Sequence, residues 1–360
     1  MTTIIEGVTV RPVLVPLRRP LVVASGQVDK APLIAIDLLC KGGLVGHAYI
    51  FTYTPRALAP AARLIEEMGG LITGRPLAPY DLERFLQAQF RLLGVTGLVT
   101  MALAGLDMAA WDAAAKAAGQ PLAVHLGGSA GAFPAYNSNG LGIIGPEAAA
   151  REAEELLGEG FTAVKLRLGY PTLAEDLAVV DAVRRAIGDE ATLMVDYNQS
   201  LTYAEALTRV LALDDHDLAW IEEPLPSDDV AGHARLRAKA RTPIQLGENF
   251  WSWRELARAL EAGAGDLYMP DIMKIGGPTS WLRCAALAEP AGIPLSCHLF
   301  PDLSAHLMAV TPTAQWVEFV DWAEPIRAER VTRRPGEVVI DEKAGFGLEW
   351  DEAALRRYAV

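Results

Sequence analysis

The rhythm of apolar and polar positions changes near residue 131. Before it, the loosely alternating residues 4–15 and the runs 33–40 (LIAIDLLC) and 44–51 (LVGHAYIF) predict three strands. Lys41-Gly42-Gly43 marks a hairpin between the last two. Residues 17–32 read as a long loop, and ordered loops of that length commonly carry function. Residues 56–119 read as helices: 57–68 ending at Gly69-Gly70, a second after Pro79, and a third over 97–118 (GLVTMALAGLDMAAWDAAAKAA). In the third, Met101, Gly105, Met108 and Asp112 share one face, and its small residues predict close packing. Strands followed by helices make this an α+β unit.

After residue 131 short apolar runs alternate with helical stretches. The runs are 135–139, 163–168, 193–198, 219–224, 244–249, 267–272, 295–299 and 315–319, and the helices include 146–158, 173–187, 203–213, 253–262 and 280–288. Eight β units with helices between them predict parallel strands closed into a (β/α) barrel. A doubly wound sheet would carry a glycine-rich G-x-G-x-x-G turn after an early strand, which is absent here. The division is residues 1–130 as a capping unit and 131–322 as the barrel, with 323–360 returning to the cap.

Composition narrows the function. The chain has 360 residues, 51% hydrophobic and 21% charged, with a net charge of −13. So acidic a chain has no electrostatic footprint for nucleic acid or an anionic membrane. No stretch approaches the roughly 20 uninterrupted apolar residues of a membrane helix. Three scattered cysteines, Cys40, Cys284 and Cys297, form neither a disulfide framework nor a zinc site, and the start has no signal-peptide pattern. These features predict a cytoplasmic protein.

The strand ends carry the chemistry. The runs finish in Lys165 and Arg167, Asp196 and Asn198, Glu222, Glu248, Asp271, His298 and Glu318, and a barrel collects these ends on one face. From Asp196 onward, successive steps are 26, 26, 23, 27 and 20 residues. Asp196, Glu222 and Glu248 would repel one another unless a cation lay between them. Oxygen ligands without Cys or His suit Mg²⁺, with Mn²⁺ as a second fit. The alternative is that each is a solvated strand-end charge. Lys165 and Arg167 are two apart and share a strand face. They suit a substrate carboxylate, and a lysine crowded by a second cation can act as a base. His298 beside Asp271 has the form of a general acid/base whose tautomer is fixed by a carboxylate. Glu318 can donate to a developing oxyanion only with a raised pKa. His47, His125, His216, His233 and His306 read as structural. The set describes removal of an α-proton from a metal-held carboxylate, giving an enediolate stabilised by metal and acid.

These residues, with KAPLIAIDLL (30–39), TGLVTMALAGLDMAAWDA (96–113), AVKLRLGYP (163–171), VDYNQSL (195–201), WIEEP (220–224), GEN (247–249), MPDIMKIGG (269–277), SCHLF (296–300), SAHL (304–307) and TPTAQWVE (311–318), resemble the mandelate racemase group of the enolase superfamily over nearly the whole chain. The resemblance implies an α/β fold, a modified TIM barrel (β/α)7β with an N-terminal α+β capping domain. It implies Asp196, Glu222 and Glu248 as Mg²⁺ ligands, Asp271 and His298 as the base dyad, Glu318 as the electrophilic acid and Lys165 at the substrate carboxylate. Asn198, Ser138 and Lys274 would contact substrate. A flap over 20–30, with Ser25 and Val28, would form the wall with Phe51, Tyr53, Leu299 and Val320, and Asn139 would stand at the barrel mouth. The partner would be a small carboxylate substrate, and the chain would form a homo-oligomer, a dimer or octamer.

Departures from the pattern direct the reaction. The group's K-x-K reads Lys165-Leu166-Arg167, so Arg167 stands where its racemases place the second base. Arginine holds its proton and makes a poor base. Ser25 replaces an apolar flap residue and Asn139 a histidine. The preferred reading is one-base β-elimination from a 2-hydroxy acid, of acid-sugar dehydratase type. The alternatives are a racemase or epimerase working by 1,1-proton transfer, and a non-catalytic acid-binding homologue.

Overall fold

A computed structural model describes residues 3–24 and 26–360. Strands β1 (Ile5–Val23), β2 (Gly26–Cys40) and β3 (Leu44–Phe51) form an antiparallel sheet, β2–β3 turning at the expected glycines. The loop expected over 17–32 is instead a β ribbon. Pairing is irregular between Pro16 and Leu21 and then resumes, Leu21 opposite Val28 and Val23 opposite Gly26. Pro20 lacks the N–H a regular ladder needs, which accounts for the misreading.

Helices α1 (Leu58–Ile72) and α3 (Leu98–Ala117) pack on this sheet, and α2 (Pro79–Gln89) packs against α3. Gly46 of β3 lets α3 approach, because a Cβ there would lie 2.0 Å from the Ala109 carbonyl oxygen. By length and composition α3 is apolar enough to cross a membrane, a match the reading for uninterrupted runs passed over. It is the buried core helix of the cap, and its carboxylates are satisfied. Asp107 accepts from the Thr279 N–H (2.8 Å) and hydroxyl (2.7 Å), and Asp112 accepts from the His47 and Phe346 N–H groups. Asp107 thereby ties the cap to the first turn of the helix Pro278–Ala291.

The remaining strands are β4 (Ala132–Asn137), β5 (Ala163–Arg167), β6 (Thr192–Asp196), β7 (Ile221–Glu222), β8 (Ile244–Leu246), β9 (Leu267–Tyr268), β10 (Leu295–Cys297) and β11 (Ala314–Phe319). Each pairs in parallel with the next, and β11 returns to β4 through Val317–Ala135 and Phe319–Asn137, closing an eight-stranded barrel. Residues 323–360 include a strand, Glu337–Val339, antiparallel to β4, and a helix, Glu352–Tyr358, beside β1.

Candidate active site

Strands β5 to β10 are shorter than the apolar runs, and most of the ionisable residues sit on or just past strand ends. Asp196 and Glu222 are last residues of β6 and β7 and lie in register, while Glu248, Asp271 and His298 follow β8, β9 and β10. Asp271 and His298 still meet through an isolated parallel bridge. Apart from Asp217, every left-handed non-glycine residue among the described ones lies shortly past a strand end: Tyr53, Leu141, Asn198, Gln199, Glu223, Leu299 and Phe300. Such backbone is costly and gathers where side chains must be aimed.

Asp196, Glu222 and Glu248 are buried, and one oxygen from each lies within 4.8 Å of the others. Burial and the neighbouring Asp196 and Glu248 hold Glu222 well above the usual carboxylate range. Burial also raises Asp196, against the pull of Lys165. This crowding of like charge is what a divalent cation relieves, and the all-oxygen donor set fits Mg²⁺. Asn198 braces the trio: its N–H and amide donate to Asp196 at 2.7 and 2.9 Å, while its Oδ1 is buried without a partner.

Lys165 is 1% exposed and meets Glu222 (2.7 Å), Glu318 (2.9 Å) and Asp196 (3.5 Å). Burial pulls its pKa down, but the three carboxylates outweigh burial and Arg167, so the net shift is upward. These carboxylates favour Lys165 as an ammonium. Burial would raise Glu318, yet Lys165, His298, Arg167 and the Ser138 hydroxyl hold it well below the usual range. It accepts from Ser138 Oγ (2.6 Å) and the Leu299 N–H (2.9 Å).

Arg167 is held through its two terminal nitrogens, while its Nε is buried without a partner. Nη1 donates to the carbonyls of Ser138 and Gly140, both at 2.9 Å, and Nη2 donates to Ser138 Oγ at 2.7 Å. His298 Nδ1 lies 2.7 Å from Asp271 Oδ2, and Nε2 lies 3.1 Å from Glu248. Asp271 Oδ1 accepts from the Met273 and Lys274 N–H groups, which fixes the dyad's carboxylate. Burial disfavours the imidazolium, but Glu248, Glu318 and Asp271 together move His298 upward.

Above these groups lies a cavity of about 610 Å³. Lys165, Arg167, Asp196, Asn198, Glu248, Lys274 and His298 line its floor and side, and Val28, Phe51, Tyr53 and Leu299 its wall. Ser138 is fully buried and reaches the site only through Glu318 and Arg167, instead of lining the cavity as a substrate contact. Asn139 is withdrawn because its amide bonds Asn137 and the Asp321 N–H. Val320 packs behind the wall, around a second small cavity with Phe51 and Leu299. Ser25 lies outside the described residues.

The sequence reading missed Trp322, Gln199, Asn249, Trp251 and Glu223. Trp322 lines the cavity and meets Phe51 at 5.2 Å between ring centroids. Asn249 donates to Glu223 (2.6 Å) and Glu248 (3.0 Å) and accepts from Lys274. Burial and Glu248 push Glu223 up to about 8. The signal was present in the paired polar residues of IEE and GEN, where a left-handed or glycine step turns a second side chain inward.

Comparisons with known proteins identify the family and the fold. Residues 5–127 match the mandelate racemase / muconate lactonizing enzyme N-terminal domain, and residues 148–354 match the enolase C-terminal domain-like family. An enolase from the alpha proteobacterium bal199, solved with bound Mg, is 42% identical, with TM-score 0.98 and full coverage of both chains. One from Bradyrhizobium, complexed with magnesium and mandelic acid, is 44% identical, with TM-score 0.96, covering 100% of this chain and 99% of its own. L-talarate/galactarate dehydratase of Salmonella typhimurium is 35% identical over 265 residues, 73% of this chain and 67% of the relative. Other relatives are cycloisomerases, racemases and an epimerase.

Proposed function

Because this chain belongs to the enolase superfamily, in its mandelate racemase and muconate lactonizing enzyme group, and is an enzyme of lyase or isomerase type, we propose that it removes the α-proton of a 2-hydroxycarboxylate with a single base and expels a β-hydroxyl. The observation that carries this reading is the state of Arg167. Its two terminal nitrogens are held by Ser138 and Gly140, and a guanidinium is a poor base. His298 is then the base. Asp271 fixes Nδ1 as the donor nitrogen, which leaves Nε2 to take the proton from carbon.

Lys165 places an ammonium at the cavity floor, where it pairs with one oxygen of the substrate carboxylate. Asp196, Glu222 and Glu248 would hold Mg²⁺, which when bound supplies Lewis acidity toward the carboxylate and neutralises charge as the proton leaves. Glu318, braced by Ser138 and Lys165, keeps that ammonium in place. Arg167 orients Ser138 and so acts as a positioning residue.

Racemisation is the second reading, favoured by the apolar wall of Val28, Phe51, Leu299 and Trp322 and by the relative that binds mandelic acid. Arg167→Lys separates the two. Under the one-base reading the wild type converts an acid with a β-hydroxyl into its 2-keto-3-deoxy product and racemises mandelate at least about 100-fold slower than the Lys variant. Equal racemisation by both proteins would reject the one-base assignment.

A further inference from the structure

The cavity carries two unlike kinds of wall. Leu21, Val23, Val28, Phe51, Leu299 and Trp322 offer hydrocarbon and ring surface. Lys274, Asn249 and Gln199 offer polar atoms. A fully hydroxylated acid would leave hydroxyls unpaired against the first set, which is unfavourable. A plain aryl 2-hydroxy acid fits the first set but has no β-hydroxyl to lose.

Lys274 differs from the other cations of the site. Lys165 meets three carboxylates, and Arg167 meets two carbonyls and a hydroxyl. Among the described residues, Lys274 Nζ has no carboxylate in ion-pair contact; it donates to Asn249 Oδ1 and lies 4.1 Å from the Tyr53 ring centroid. The residue is 5% exposed, and its backbone N–H is bonded to Asp271 Oδ1 at 2.9 Å, so it is anchored to the base dyad. An ammonium has three donors. Asn249 takes one and the Tyr53 face a second, which leaves a third for a ligand.

We infer that the substrate is a 2,3-dihydroxycarboxylate bearing an aryl-sized apolar group on C3, and that the Lys274 ammonium protonates the departing 3-hydroxyl. This rests on the β-elimination reading above. His298 takes the proton from C2, and that C–H electron pair forms the C2–C3 double bond as the C3–O bond breaks. The oxygen leaves as water with a proton from Lys274. The resulting enol takes a proton from solvent at C3 and releases its C2 hydroxyl proton to solvent, becoming the 2-keto acid. His298 releases one proton and Lys274 regains one, so the sum is loss of one water with no redox change.

The test uses the Mg²⁺-loaded enzyme with the stereoisomers of 2,3-dihydroxy-3-phenylpropanoate, beside galactarate, gluconate and mandelate. Formation of 2-keto-3-phenylpropanoate with kcat/KM at least about tenfold above either sugar acid supports the inference, a margin of the size apolar pocket contacts supply. Dehydration of the sugar acids but not the phenyl acid overturns it and leaves the β-elimination reading intact. Proton exchange without loss of water from any β-hydroxy acid overturns both. Lys274→Arg keeps the charge but not the ready proton. It should slow elimination at least about 100-fold, and loss from the 3-fluoro analogue, whose leaving group needs no proton, less than about tenfold. Equal slowing of both substrates, with Mg²⁺ affinity unchanged by calorimetry, would overturn the acid role.

Discussion

At the barrel mouth Lys165, Arg167, Glu222, Asp271 and Glu318 are each less than 5% exposed and joined to one another or to backbone by hydrogen bonds. The ribbon and the end of β3, which cover that mouth, bring Leu21, Val23, Val28, Phe51 and Tyr53 to the same cavity. One region fixes charges that drive a proton off carbon, and the other fixes shape and polarity around whatever carries that carbon. Chemistry and selectivity therefore reside on different pieces of chain, joined by features such as Asp107 at the Pro278–Ala291 helix. A fold arranged this way can change substrate without changing its acid–base core.

The sharpest way to break that contrast is at His298. His298→Asn should lower α-proton exchange by about 10³-fold or more, read by proton NMR in D₂O. Retained exchange would remove His298 from the base role and shift the chemistry elsewhere. Glu222→Gln follows, since it takes a charge from a buried trio and from Lys165. Mg²⁺ affinity by calorimetry should fall about 100-fold, as expected when a buried charged partner is lost.

A third prediction separates stability from chemistry within the barrel. Burial lowers His306 from 6.5 to about 4, and its Nδ1 accepts from the Ala123 N–H. The folded state therefore resists protonation that the unfolded state accepts. The His306 contribution to stability should be constant above pH 6.5 and fall by about 3 kcal/mol as pH drops toward 4, read as the difference between wild type and a His306 variant. Chemical denaturation across that range, with His306→Gln flattening the slope, measures it. The smallest effect belongs to the cover. Val28→Ser should raise KM about three- to tenfold with kcat little changed, because it alters a wall and none of the charged groups.

The ring was legible because each member follows an apolar run, and a barrel maps spaced strand ends onto one face. Asp196, Glu222, Glu248, Asp271 and His298 came together as that pattern requires. Charge state was not legible. The directions in which Lys165 and Glu318 shift follow from the sum over three or four buried neighbours, at distances that no spacing encodes. The ribbon over 17–32 was lost to its prolines, and Trp322 was missed because it lies past the last strand, where no periodicity points to it. Ser138 and Asn139 show the same limit. Their neighbours, Arg167 and Asn137, decide whether they face the cavity.

The most direct measurement is the fate of the α-proton when the wild-type, Mg²⁺-loaded enzyme is incubated in D₂O with an enantiopure 2-hydroxy acid lacking a β-hydroxyl. The one-base account predicts deuterium in the starting enantiomer alone, because only His298 reaches the carbon. Deuterium appearing in both enantiomers would show a second proton donor on the opposite face and contradict the reading of Arg167.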